Sequence, residues 1–204
     1  MSARKTDDID KFFEYGIDVN TRTLFMGSME TDMDGDESGT DASMAEYVIK
    51  GLHILDNYSK SEDKPITILM NNLGGYVTHG MAIYDAIRAC QNHVTIVVLG
   101  QAMSMGGIIL QAADKRVMAP NAKLMIHYGY DGFAGHGPTA YKHAENSKKY
   151  DMWMEDMLWA KIKEQKPKFT KRKLKEWLMA DTFFNATEAV EYGLADTESK
   201  QWVS

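Results

Sequence analysis

Ser104 lies between an apolar run, His93–Leu99 closed by Gly100, and a stretch of small and aliphatic residues that reads as a helix to about Ala113. The serine therefore falls at a strand-to-helix junction. A serine hydroxyl is a poor nucleophile until a base takes its proton, and the tetrahedral oxyanion that forms next must be met by preorganised donors. A helix start supplies such donors, because its first N–H groups lack carbonyl partners and sit at the positive end of the helix dipole. The Met105 N–H is placed for that role, and Gly106 and Gly107 let other backbone come close. The run Ala102-Met103-Ser104-Met105-Gly106 lacks the first glycine of a Gly-x-Ser-x-Gly elbow. A serine at a helix start also reads as a simple N-cap, so both readings stay open.

His127 ends a second apolar strand one residue before irregular chain, a position from which an imidazole reaches a cleft. The alternative is a core histidine with satisfied hydrogen bonds. Gly74-Gly75 follows a buried strand directly, which is where open α/β sheets place ligands, although a turn needing positive φ accounts for the glycines equally. No Gly-Lys-Ser/Thr follows, so the turn is not a P-loop. The six histidines form no H-E-x-x-H pair, and no metal site is expected.

These residues need elements to hold them. Arg22–Met26, Ile66–Met70, His93–Leu99, Lys115–Met118 and Lys123–His127 read as strands. Several are apolar without alternation, as strands buried on both faces are. Between them, Met44, Tyr47, Val48, Gly51, Leu52 and Leu55 follow helical spacing, with Ser43 or Asp41 as cap, and a second helix covers about His79–Ala89. Strands spaced by helices predict parallel βαβ units and an α/β class. After a glycine-rich stretch, Gly129–Gly137, a long helix begins past Pro138 and is limited by Pro167. Its stripe Tyr150, Trp153, Met154, Met157 and Leu158 reads as a core or subunit-contact face. Thr187 is the expected cap of a last short helix ending at Gly193.

The chain of 204 residues, 44% hydrophobic and 25% charged, suits one globular domain and excludes wholesale disorder. No apolar run approaches the roughly 20 residues that cross a bilayer. Met1–Lys11 is polar and lacks a signal-peptide core, so a cytoplasmic protein without membrane attachment is expected. The single cysteine, Cys90, fits a reducing compartment and forms no internal disulfide. The net charge of −6 is local: Glu30–Asp41 holds six acids and no base, and reads as a solvated surface insertion within which Asp32, Asp34 and Asp36 fail the calcium-loop pattern. Lys161–Lys175 holds eight bases and one acid without an RNA-binding aromatic pattern, and reads as a solvated helical face with no nucleic-acid partner.

Four segments taken together carry a resemblance. They are Asn72-Leu73-Gly74-Gly75 through Asp85, Gly100 through Gly106, Pro120-Asn121 through His127, and Asp181-Thr182-Phe183-Phe184-Asn185 through Leu194. In this order and spacing they resemble the proteolytic-subunit family of the Clp protease, ClpP, over about residues 66–196. The resemblance implies Ser104 as nucleophile, His127 as general base and then acid, and Asp181 as the carboxylate orienting the imidazole. It implies Gly75 and Met105 as the oxyanion-hole N–H donors. Spacing alone does not select Asp181.

The resemblance further implies a crotonase-like fold of repeated ββα units, with a protruding handle over residues 128–165 and a single peptidase domain. It implies seven-membered rings stacked in pairs as a tetradecamer around a closed chamber, fed with unfolded polypeptide by a ring-shaped AAA+ Clp ATPase. The chain itself would use no cofactor and no metal, ATP being consumed only by the partner. Two departures stand out. Asn72-Leu73 replaces the family's Ser-Pro, which predicts a looser glycine loop. The acidic segment 30–41 precedes the helix that lies near the ATPase-docking pockets, which predicts a role in partner docking and none in catalysis; residues 1–21 do not clearly match the family's axial loops. The rival readings are a crotonase-type acyl-CoA enzyme and a non-catalytic ring subunit, and neither needs a Ser-His-Asp set.

Overall fold

The computed structural model describes residues 10, 12–27, 39–57, 65–130 and 132–200. Residues 1–9 and most of the acidic segment, 28–38, fall outside the described residues, and so does the surface placement expected for those acids. In chain order the elements are β1 (Ile17–Asp18), β2 (Thr23–Gly27), α1 (Ala42–Asn57), β3 (Ile66–Asn72), α2 (Val77–Ala89), β4 (Val94–Met103) and α3 (Met105–Leu110). Next come β5 (Lys115–Met118), β6 (Lys123–Ile126), α4 (Gly137–Gln165), α5 (Lys171–Leu178), β7 (Thr182–Asn185), α6 (Ala186–Glu191) and β8 (Thr197–Glu198).

The class is α/β. The neighbours β2, β3, β4 and β5 are parallel, as the unalternated apolar runs predict, with β8 continuing the row and β1 added antiparallel at the other edge. Helix α1 covers the sheet with Met44, Ala45, Val48, Leu52 and Leu55, while Tyr47, counted in its stripe, is 40% exposed. Of the two candidate caps Asp41 acts, its carboxylate accepting from the Met44 N–H at 2.8 Å.

Strand β4 is longer than expected. Gly100 does not close it but marks a shift of register: Met70 on β3 faces Val98, whereas Asn72 faces Ala102. A side chain at Gly100 would meet the Asn71 amide at 2.5 Å, so the glycine lets the irregular pairing form. The extension matters because β4 then serves two neighbours. Its first half pairs with β5, and Gln101–Met103 pairs with β6. Strand β6 is in turn antiparallel to β7, a four-residue strand absent from the sequence-based expectation, with Ile126 opposite Thr182.

Of the two readings of the α4 stripe, the core one holds for its buried members. Met154, Leu158 and Ile162 are buried in the chain's own core, and Trp153 meets Tyr84 edge to face at 5.9 Å. That face is thus packed in part within the chain, while Tyr150, Trp153 and Met157 stay half-buried. The first half of the helix is the exposed part, with Tyr141 77% accessible. The final short helix α6 is capped by Asn185 and Glu188 in a reciprocal capping box, not by Thr187, whose hydroxyl donates to Glu198. Gly193 has the expected left-handed φ of 79°.

On β5, inside the sheet, Arg116 is 2% exposed. It donates from Nε and Nη2 to the Asp196 carboxylate, and from Nη1 to the Gly193 carbonyl and to Gln111. Burial alone would raise the Asp196 carboxyl, but hydrogen bonds from the Arg116 side chain and backbone, with its charge, hold it below the usual range. A carboxylate depressed in the folded state adds stability that is present above its unfolded pKa and is lost as pH falls through the folded value. Asp196→Asn should cost about 3 kcal/mol at pH 7, the order seen when one partner of a buried pair is removed. The gap between wild type and variant in urea unfolding should narrow once pH falls below about 4. A gap independent of pH would mean that the charge of Asp196 contributes nothing.

Candidate active site

Ser104 is the residue between β4 and α3, and its backbone is unusual for a side-chain-bearing residue, with φ 51° and ψ −117°. Such a conformation costs on the order of 1–3 kcal/mol and persists only where the surroundings enforce it. Here its N–H donates to the Met125 carbonyl at 2.8 Å, its own carbonyl accepts from Gly107 and Ile108, and every residue of α3 behind it is buried. The hydroxyl does not cap the helix. The simple N-cap reading therefore falls, and the sharp turn presents Oγ elsewhere.

It presents it to His127. Nε2 of that imidazole lies 2.7 Å from Ser104 Oγ, and Nδ1 lies 3.2 Å from Asp181 Oδ1. With the Asp181 carboxylate accepting from Nδ1–H, Nε2 is left as the acceptor for the serine proton. The imidazole side chain is 9% exposed, against 43% for Asp181, so the histidine is held inside while its carboxylate partner meets solvent. The core-histidine alternative gives way too, because the ring's two nitrogens face a hydroxyl and a carboxylate across a cleft. The sheet accounts for the meeting. His127 is one residue past β6 and Asp181 one residue before β7, and these strand ends are paired.

The other two predicted residues join the same place. Met105 is the first residue of α3, whose N–H has no carbonyl within the helix. Gly75 lines the same cleft as Ser104, Met105, His127 and Asp181, a space of about 740 Å³ with apolar walls from Val77, Ile108, Met125 and Met154. The preceding Gly74 has φ 97°, and a side chain on it would lie 2.7 Å from the Met103 carbonyl and from Ser104 Cβ. Glycine is required there both for the conformation and for the approach of the loop to the serine.

The Clp protease family model matches residues 36–200. The chain belongs to the Clp protease family. It is a Clp-type peptidase of mixed α/β fold, and the family implies serine peptidase chemistry. Among the described residues no group of three or more His, Cys, Asp or Glu is arranged to hold a metal, and no helix is long and apolar enough to cross a membrane.

Three features of the site escape the sequence. Asn72, expected to leave the glycine loop looser, is completely buried, and its Oδ1 accepts from the Gly74 N–H at 2.8 Å and from the Thr40 hydroxyl at 3.0 Å. The Asn72 amide therefore ties the loop, which corrects the expectation of a looser one. Thr40, assigned with the acidic segment to the periphery, is also completely buried and forms a one-residue bridge with Gly75. The end of that segment is part of the site's framework, which corrects the expectation that segment 30–41 stands wholly apart from the site. Only Asp41's capping character hinted that the chain becomes ordered there.

The third feature is Glu155, 5% exposed on α4, which accepts from Tyr128 at 2.8 Å and pairs with Lys171 at 3.1 Å and Lys175 at 3.5 Å. Burial would raise this carboxyl, but hydrogen bonds from Tyr128 and Lys171 hold it low; burial and then Glu155 push the Tyr128 hydroxyl up to about 12. The network fastens the residue after His127 to α4 and α5. Two members of the basic run are thus engaged with a buried acid, while Arg172 keeps the solvated character expected of it, its side chain 88% exposed.

Replacing Asp181 by Asn should keep the fold and lower kcat for a short peptide by about 10²-fold, below the ~10⁴-fold typical of a fully buried triad carboxylate because this one is partly solvated. Unchanged kcat in a variant with wild-type circular dichroism would remove Asp181 from any orienting role.

Proposed function

We propose that this chain is a serine endopeptidase that hydrolyses peptide bonds of unfolded polypeptides by acyl-enzyme chemistry, with Ser104 as nucleophile, His127 as base and acid, and Asp181 as orienting carboxylate. The observation that carries the reading is the 2.7 Å contact between His127 Nε2 and a serine hydroxyl that caps nothing. His127 takes the Ser104 proton as Oγ bonds to the scissile carbonyl carbon, and the carbonyl π electrons move to oxygen. The Gly75 and Met105 N–H groups hold that oxyanion. The imidazolium is stabilised by Asp181 and passes its proton to the leaving amine as the C–N bond breaks. Water then attacks the acyl-enzyme with His127 again as base, the C–Oγ bond breaks and Ser104 recovers its proton. No cofactor enters this sequence.

The family background supports self-assembly, and we propose heptameric rings, stacked in pairs, that enclose the active sites. The exposed first half of α4 and the segment before it, with Tyr130 85% and Phe133 44% accessible, are the surface available for ring-to-ring contact. An AAA+ Clp ATPase that unfolds and feeds substrates, and a cytoplasmic location, belong to the same proposal. The apolar cleft beside Ser104 suits an unfolded chain better than a thioester cofactor tail, and a non-catalytic ring subunit would have no use for the strained serine turn.

A fluorophosphonate probe should phosphonylate the protein at Ser104, located by peptide mapping, and Ser104→Ala should abolish labelling. The same variant should lose at least about 10⁴-fold in peptide hydrolysis while keeping its assembled mass, since the hydroxyl contributes chemistry and little packing. Labelling at another serine, or wild-type turnover by Ser104→Ala, would overturn the assignment.

A further inference from the structure

We propose that Thr40 and Asn72 are positioning residues that set the direction of the Gly75 N–H, and through it the rate of the chemical step; the inference rests on the reading of Gly75 as an oxyanion donor. The turn that carries this donor has two consecutive glycines at φ 97° and 146°, conformations that glycine adopts without holding them. Something outside the turn must fix it.

Thr40 does so on one side. Its N–H donates to the Gly74 carbonyl at 2.6 Å and its carbonyl accepts from the Tyr76 N–H at 2.8 Å, bracketing Gly75 in a parallel bridge. Peptide groups alternate in direction along an extended segment, so pairing through the neighbours of Gly75 turns its own N–H away from Thr40, toward the side on which Ser104 and Met105 lie. The approach is close enough that a side chain on Gly75 would fall 2.6 Å from the Thr40 carbonyl oxygen.

Asn72 acts from beneath. One oxygen, Oδ1, accepts both the Gly74 N–H and the Thr40 hydroxyl, and Nδ2 reaches the Met44 sulfur at 3.1 Å. Both side chains are wholly inaccessible. Neither touches the cleft, so neither is a catalytic residue. Their hydrogen bonds join the start of α1, the end of β3 and the glycine turn at one point. Oxyanion stabilisation demands a donor at about 2.7–3.1 Å from the developing charge, and removing one such donor costs about 10²–10³-fold in kcat. A donor left in place but misdirected costs a fraction of that.

The test compares Thr40→Val, which keeps the shape and loses the hydroxyl, with Thr40→Ser and Asn72→Ala, using Ser104→Ala as a control. For each, kcat and KM are measured on a short fluorogenic peptide. Affinity is measured for a peptide aldehyde, which bonds to Ser104 Oγ and puts an oxygen in the oxyanion position, and for the corresponding peptide acid, which binds without a bond. Thr40→Val should lower kcat about 10-fold and Asn72→Ala about 30-fold. KM and peptide-acid affinity should stay within about twofold, aldehyde affinity should fall in step with kcat, and Thr40→Ser should restore both. Wild-type kcat and aldehyde affinity in Thr40→Val and Asn72→Ala would overturn the proposal. So would losses that follow only the loss of folded, assembled protein and appear equally in Thr40→Ser. Full activity in Ser104→Ala would overturn the nucleophile reading itself, and this proposal with it.

Discussion

The arrangement of the site depends on one feature of the sheet: strand β4 is long enough to pair with β5 along its first half and with β6 along its second. That division puts the end of β6 beside Ser104, with Met103 opposite Met125. The antiparallel pairing of β6 with β7 then brings His127 and Asp181 to adjoining strand ends. Register is strict in such a system, because a slip of one residue sends every side chain of a strand to the opposite face. Both exchanged faces would expose core residues, Leu124 and Ile126 on β6 and Phe184 on β7. Burial of these side chains therefore holds the register that aligns Ser104, His127 and Asp181.

The local conformations at the site are the kind that a chain adopts only under such constraint. A serine at φ 51° and two glycines at positive φ face one another across the gap between the ends of β3 and β4. What holds them is polar and buried: the Ser104 N–H on Met125 on one side, and the Asn72 and Thr40 bonds on the other. Further out, Tyr128, Glu155 and Lys171 tie the chain just past His127 to the two helices after it, α4 and α5. The buried members, Thr40, Asn72 and Glu155, would be costly to leave unpaired, so the networks raise the penalty for alternative arrangements.

The sequence made legible what depends on local pattern. The apolar runs of β3 and β4 announced buried parallel strands, the spacing of Val48, Leu52 and Leu55 announced the core face of α1, and Ser104 announced a strand-to-helix junction. What stayed hidden depends on partners distant in the chain. Strand β7 is four residues, Thr-Phe-Phe-Asn, and owes its existence to β6, so Asp181 was reachable only through family resemblance. Gly100 carries the same local signal as a strand end, and only its contact with Asn71 makes it a point of irregular pairing. The stripe on α4 was legible as apolar, but apolarity does not say whether the covering surface belongs to the same chain. Thr40 sat in a run of acids whose composition masked its pairing with Gly75.

The central claim is that Ser104 Oγ forms a covalent bond to the acyl group of the substrate. Mixing the assembled protein with an activated peptide ester, quenching with acid within the first turnovers and weighing the intact chain tests it directly. A fraction of chains should be heavier by the mass of the acyl group, with the added mass on the peptide that contains Ser104 and disappearing as the ester is consumed. Steady turnover with no added mass on any chain, or with the acyl group on a residue other than Ser104, would contradict it.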